Sequence, residues 1–192
     1  MSKFRQIYLS AGHSTKPGRD RGASGNGFIE GELTADLRNR VANELRLLGH
    51  IPICDVNDSI LTDTLSWLRN KTTNTCICID FHWNAATPAA KGTETFVDDK
   101  ASEFELDLAF DFSDVVHRVL GINKRGNFKG RAGVKSEKES ARKSLGWFRF
   151  TGMQILPEIC FITNKGEMNT YIARRDELAK EIAKFLVEKA KI

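Results

Sequence analysis

The 192-residue chain contains no apolar run approaching the roughly 18 residues that a membrane-spanning helix needs. Membrane insertion is therefore not expected. Residues 1–5 are polar and basic and lead straight into a strand-like segment, without the apolar core and small-residue cleavage site of a secretory signal. The expectation is synthesis in the cytoplasm, with no export by the usual route. Cysteine is scarce: Cys54, Cys76, Cys78 and Cys160 lie in apolar strand-like runs, and Cys76-Ile77-Cys78 lacks the two-residue gap of zinc knuckles and redox pairs. They read as buried reduced thiols, as a reducing cytosol would keep them. Repeats and low-complexity tracts are also absent.

What is present is the composition of an ordinary globular protein, 41% hydrophobic and 28% charged, in a length that suits one domain with a sizeable core. The formal net charge of +4 suits an anionic partner, whether nucleic acid, a lipid surface or an acidic polymer such as a bacterial cell wall. Its densest stretch, residues 124–143, mixes Arg125, Lys129, Arg131, Lys135, Lys138 and Arg142 with glycines and serines and reads as a long flexible loop. A solvated surface accounts for it as well as a binding surface does. Phe128 is the only aromatic among these cations, so nucleic-acid binding is not expected.

Short apolar runs alternate with amphipathic segments, the pattern of an α/β protein. Strands are predicted over 6–10, 51–54, 75–81, 92–97, 145–148 and 154–162. Helices are predicted over 34–48, where Leu37, Val41, Leu45 and Leu48 recur until Gly49 stops them, and over 61–71, 101–120 and 174–191. The expected fold is a single domain with a mixed, mostly parallel sheet of about six strands, flanked by helices on both faces.

Four polar residues stand where these elements end. His13 follows the first strand in Ala11-Gly12-His13-Ser14, where glycine lets the backbone turn sharply. His82 ends the apolar run Cys76-Ile77-Cys78-Ile79-Asp80-Phe81, and Glu30 precedes the first helix, where a carboxylate also suits the helix's positive end. Glu158 is a carboxylate set into the otherwise apolar run 155–162, costly to bury without a cation nearby unless the strand lies at an edge facing water. Two imidazoles and a carboxylate are the ligand types of a catalytic zinc, and a partly desolvated glutamate has the raised pKa that acid/base work needs. Glu32 competes with Glu30. Taken singly, each histidine is more often structural than a ligand, and His50 and His117 are left out of the site.

With these residues in place the chain resembles the zinc-dependent N-acetylmuramoyl-L-alanine amidases of the Amidase_3 type, cell-wall hydrolases of bacterial autolysins and phage endolysins. The resemblance covers most of the chain. It rests on Ile7-Tyr8-Leu9-Ser10-Ala11-Gly12-His13, a Glu before the first helix, Phe81-His82-Trp83-Asn84-Ala85, Gly92-Thr93-Glu94-Thr95-Phe96 and Pro157-Glu158-Ile159-Cys160-Phe161-Ile162-Thr163-Asn164, in the family's order and approximate spacing. Asp80 stands where many members have Ser, and Cys160 where many have Gly. Gly133-Val134-Lys135 is similar to part of the family's Arg-Gly-Val-Lys stretch, with Arg131 displaced by one residue.

The resemblance implies that His13, Glu30 and His82 hold Zn2+ and that Glu158 is the catalytic carboxylate. Glu30 is preferred over Glu32 because the family's ligand lies four residues before a Thr or Asn, here Thr34. The implied reaction is hydrolysis of the amide between N-acetylmuramic acid and L-alanine in peptidoglycan, by a catalytic domain spanning 1–192 with no separate wall-binding module. A phage endolysin released through a membrane lesion is the favoured setting. A zinc peptidase acting on stem peptides is the alternative, with a catalytically dead wall-binding domain behind it.

Overall fold

The structure is a computed structural model that describes residues 4–192, and its alternating runs resolve into a mixed six-stranded sheet with helices on both faces. In chain order the elements are β1 (Ile7–Ala11), the short pair β2 (Ser24–Gly25) and β3 (Phe28–Ile29), α1 (Glu30–Leu47), β4 (Ile53–Cys54) and α2 (Leu61–Leu68). Then come β5 (Ile77–Asn84), β6 (Glu94–Val97), α3 (Glu103–Leu120), the hairpin β7 (Asn127–Phe128) and β8 (Arg131–Ala132), and β9 (Val134–Ser136). Two 3-10 turns, Glu137–Glu139 and Gly146–Phe148, precede β10 (Met153–Phe161) and α4 (Lys165–Ala190).

The main sheet runs β4-β1-β5-β10-β6-β9. Its first four strands are parallel, β6 runs against β10, and β9 lies parallel to β6. After β1 the chain passes through α1 to β4 on one side, and through α2 to β5 on the other. That reversal opens a crevice beyond the carboxyl ends of β1 and β5, where ligands of open α/β sheets bind.

Period-two alternation gives the sheet two unequal faces. Ile7, Leu9, Ile77, Ile79, Phe81 and Trp83 pack against the apolar stripes of α1, α3 and α4 in one large core. Tyr8, Cys78, Phe96 and Leu156 look the other way, toward Leu68 of α2 and the aromatic pair Trp147 and Phe148. This second cover is small, so the carboxyl ends of the strands stay open there. Among the described residues no helix is long and apolar enough to cross a membrane, and the four cysteines are free, Cys54 half-buried and the others buried.

Three expectations need correction. In place of the strand expected over 145–148, Gly146–Phe148 forms a 3-10 turn, because adjacent Trp147 and Phe148 both bury on the thin face, which strand alternation forbids. The stretch 124–143 is no flexible loop: it holds a hairpin and the sheet's edge strand β9. Its glycines 126, 130 and 133 take positive φ at tight turns, while Lys124 meets Asp114 at 2.8 Å, Arg131 meets Asp107 at 2.8 Å, and Lys138 pairs with Asp99. The last helix begins at Lys165, capped by the Asn164 side chain accepting from the Glu167 N–H.

Candidate metal centre

Strand β5 continues through His82 to Asn84, so Cys78, Asp80, His82 and Asn84 form a row on the thin face whose outer three members are polar. Register places Glu158 of β10 beside His82 on one flank and Glu94 of β6 on the other. Glu158 therefore sits on an interior strand, not an edge facing water. His13 leaves the end of β1, and Glu30 is the first residue of α1 itself rather than a residue ahead of it.

His13 carries a positive φ of 69°, a conformation a non-glycine residue holds only when its surroundings impose it. Gly12, expected to supply the turn, has a different task. A Cβ there would lie 2.3 Å from His82 Nε2 and 2.6 Å from the Phe81 carbonyl, so only glycine lets the two histidine segments approach. Gly22, at φ +72°, does the same for Glu30, whose Oε2 would be 2.4 Å from an added Cβ. The loop is tied to α1 by Thr34 Oγ1, which donates to the Gly12 carbonyl at 2.6 Å.

Among the described residues, one ligand atom each from His13, Glu30 and His82 lie within 4.8 Å of one another. Glu30 is 4% exposed and bracketed by the imidazoles, Oε1 at 3.0 Å from His82 Nδ1 and Oε2 at 3.4 Å from His13 Nε2. It also accepts from the N–H groups of Ala23 at 2.8 Å and Trp83 at 3.0 Å. Burial pushes its pKa up, but the His82 hydrogen bond, the charges of His82 and His13 and the Ala23 N–H outweigh that and hold it low. Glu32, the other glutamate considered, instead pairs with Arg21 and has its side chain 57% exposed.

The far nitrogen of each ring also meets a carboxylate: His13 Nδ1 lies 3.1 Å from Asp20, and His82 Nε2 lies 3.1 Å from Asp80. Burial depresses the His82 pKa, but Asp80 and Glu30 together carry it well above the usual histidine value. Glu158 faces this group with its Oε2 buried and unpartnered. Burial, reinforced by Glu30, Glu94 and Asp80 and opposed by His82, raises its pKa to about 8. Glu94 opposite is paired with Arg125 and Lys135, each at 2.8 Å from its Oε2, and accepts from Asn84 at 2.9 Å.

All four predicted residues therefore line one cleft of about 620 Å³, walled on its far side by Arg142, Leu145 and Trp147. His50 packs edge-on to Phe4 and His117 bonds the Ile122 carbonyl, both away from the cleft. Sequence reading gave Asp20, Asp80 and Glu94 no part in the site. The alternation Asp80, His82, Asn84 was the available signal.

The sequence profile of the N-acetylmuramoyl-L-alanine amidases (Amidase_3) matches residues 7–188. The uncharacterised protein YqiI of Bacillus subtilis (strain 168) is 26% identical over 165 residues, which make up 85% of this chain and 73% of YqiI. A crystal structure from Neisseria meningitidis, proposed by its name to be an N-acetylmuramoyl-L-alanine amidase, shares 26% identity with a TM-score of 0.76 over 98% of each chain. The catalytic domain of the CD27L endolysin, which targets Clostridia difficile, has the same fold, with a TM-score of 0.71 and 22% identity over 98% of this chain and 99% of that one. Since the family match runs from β1 into the last turns of α4, across every element that brings a side chain to the centre, the chain belongs to the N-acetylmuramoyl-L-alanine amidase family.

Proposed function

We propose that the chain hydrolyses the amide between N-acetylmuramic acid and L-alanine in peptidoglycan, with His13, Glu30 and His82 holding Zn2+ and Glu158 moving the proton. The convergence of two imidazoles and a carboxylate within 4.8 Å, facing a buried carboxyl oxygen that has no partner, carries this reading. The donor set is that of a catalytic zinc site, and the two rings are held from behind by carboxylates, so the residues fit the ion. When bound, zinc supplies a Lewis acid that polarises the amide carbonyl and makes water nucleophilic near neutral pH.

The rest is the work of side chains. In the metal-free protein burial raises the Glu158 pKa to about 8, the environment of a carboxyl group suited to proton transfer. Glu158 accepts a proton from the attacking water and returns it to the L-alanine nitrogen, which must be protonated to leave. Glu94, fixed by Arg125 and Lys135, adds its negative charge to the environment that keeps the Glu158 proton available.

The likeness in fold to an endolysin catalytic domain supports lysis after phage-mediated release as the setting. A host-range lysis assay with added protein tests that part. For the chemistry, purified peptidoglycan is digested with and without chelator and the new amino termini are identified. New N-terminal alanine that disappears with chelator is the expected result. Any other new terminus would replace the amidase reading with a peptidase one.

A further inference from the structure

His82 turns its Nδ1 toward Glu30, 3.0 Å from Oε1. Its Nε2 is covered by the Gly12 backbone, where an added Cβ would come within 2.3 Å, and lies 3.1 Å from Asp80 Oδ2. Asp80 is two residues upstream on the same strand and face, and its side chain is 4% exposed. Strand geometry thus fixes both ends of the contact.

Asp80 is unlike the other buried aspartate nearby. Asp55 has several partners, Arg38, Ser10, Thr64 and the Ala11 N–H, and works as a structural hub beneath β1. Asp80 has its contact to His82, and its second oxygen, Oδ1, is buried with no partner. A desolvated carboxylate costs several kcal/mol, and one whose hydrogen bonding goes to a single imidazole adds little to the architecture. On the other ligand, Asp20 makes the corresponding contact to His13 Nδ1, but its side chain is 65% exposed and solvent screens it.

We propose that Asp80 is a positioning residue for the metal centre: it accepts the Nε2–H of His82, fixing the tautomer and ring orientation that present the Nδ1 lone pair to Zn2+. The inference rests on the metal-centre reading above. Zinc affinity is then set unequally from behind, strongly through the buried Asp80 and weakly through the exposed Asp20.

The test is zinc affinity of chelator-stripped protein, read by competition with a chromophoric chelator, together with the nitrogen NMR signature of the His82 ring. Asp80→Asn keeps shape and loses charge, and should weaken zinc roughly 10- to 100-fold. Asp20→Asn should cost about threefold or less, as a screened contact does. In a His82→Ala background Asp80→Asn should cost nothing further, because its effect passes through the ring. An Asp80→Asn protein that binds zinc within about twofold of the parent overturns the inference, as does an equal loss with and without His82. Asp80→Ser serves the same comparison if the Asn variant melts early. Failure of the parent chain to bind stoichiometric zinc would instead sink the metal-centre reading itself.

Discussion

Glu158→Gln separates the role of the carboxyl in the reaction from its cost to the fold. In the metal-free protein the raised pKa means that folded Glu158 keeps a proton the unfolded chain has released. Its contribution to stability is fully present below pH 4.5 and is lost as pH rises through about 8. At about 1.4 kcal/mol per pKa unit, the rise sets a ceiling of roughly 4–5 kcal/mol on that loss. The residue is partly open to the cleft, so screening lowers the expected figure to about 2 kcal/mol, or about 4–8 °C in Tm for a chain of this size.

Glutamine mimics the protonated acid and does not ionise. Denaturation in the presence of chelator should therefore show parent and variant alike at pH 5, with the variant the more stable at pH 8. The other raised groups, His82 and Asp55, also lose stability with rising pH, but they are common to both proteins and largely cancel in the difference. With zinc restored, the variant should keep stoichiometric metal and lose about 10²- to 10⁴-fold in turnover, the range for removing a positioned proton carrier. Parallel stability curves from pH 5 to pH 8 would refute the claim of a desolvated carboxyl. Unchanged turnover would remove Glu158 from the reaction.

Three further outcomes are expected. Gly12→Ala forces a methyl against His82 Nε2 and the Phe81 carbonyl and should cost about 1–3 kcal/mol in denaturant unfolding, with weaker zinc binding in the chelator competition. Arg38→Ala strips the buried partner from Asp55 and should destabilise by about 3–5 kcal/mol; a Tm within a degree of the parent would count against the buried pair. Chelator should abolish release of N-terminal alanine and one equivalent of zinc should restore it, whereas activity that survives exhaustive dialysis against chelator would exclude a metal-dependent step.

The parts of the fold legible in the sequence were those governed by local periodicity. The stripe Leu37, Val41 and Leu45 gave α1, and the run around Ile77 and Ile79 gave a strand buried on both faces. What escaped were features decided by tertiary contact. Lys165 joins α4 because Asn164 caps it and because Met168 and Tyr171 bury against the sheet, a gain invisible to a search for a full apolar stripe. The basic stretch looked flexible because its glycines and cations are the residues of loops; its order comes from acids distant in sequence, such as Asp99, Asp107 and Asp114.

The centre shows the same division. The residue types of the proposed centre could be read from the chain because imidazole and carboxylate chemistry is a property of the residue. Their support could not, because it depends on which atom faces which. Asp80 looked like one more polar residue near a strand end until the strand's alternation placed it behind His82. Gly12 looked like a hinge until the space it leaves proved to be occupied by the His82 ring. Glu158 and Glu94 stand directly opposite across an antiparallel pair, where like charges repel. The two are treated unequally: Arg125 and Lys135 pair with Glu94, while Glu158 makes no ion pair with Lys or Arg among the described residues and has its pKa raised to about 8. Burial first, and the charges of Glu30, Glu94 and Asp80 after it, outweigh the opposing His82 and give Glu158 the raised pKa on which the proposed proton transfer rests.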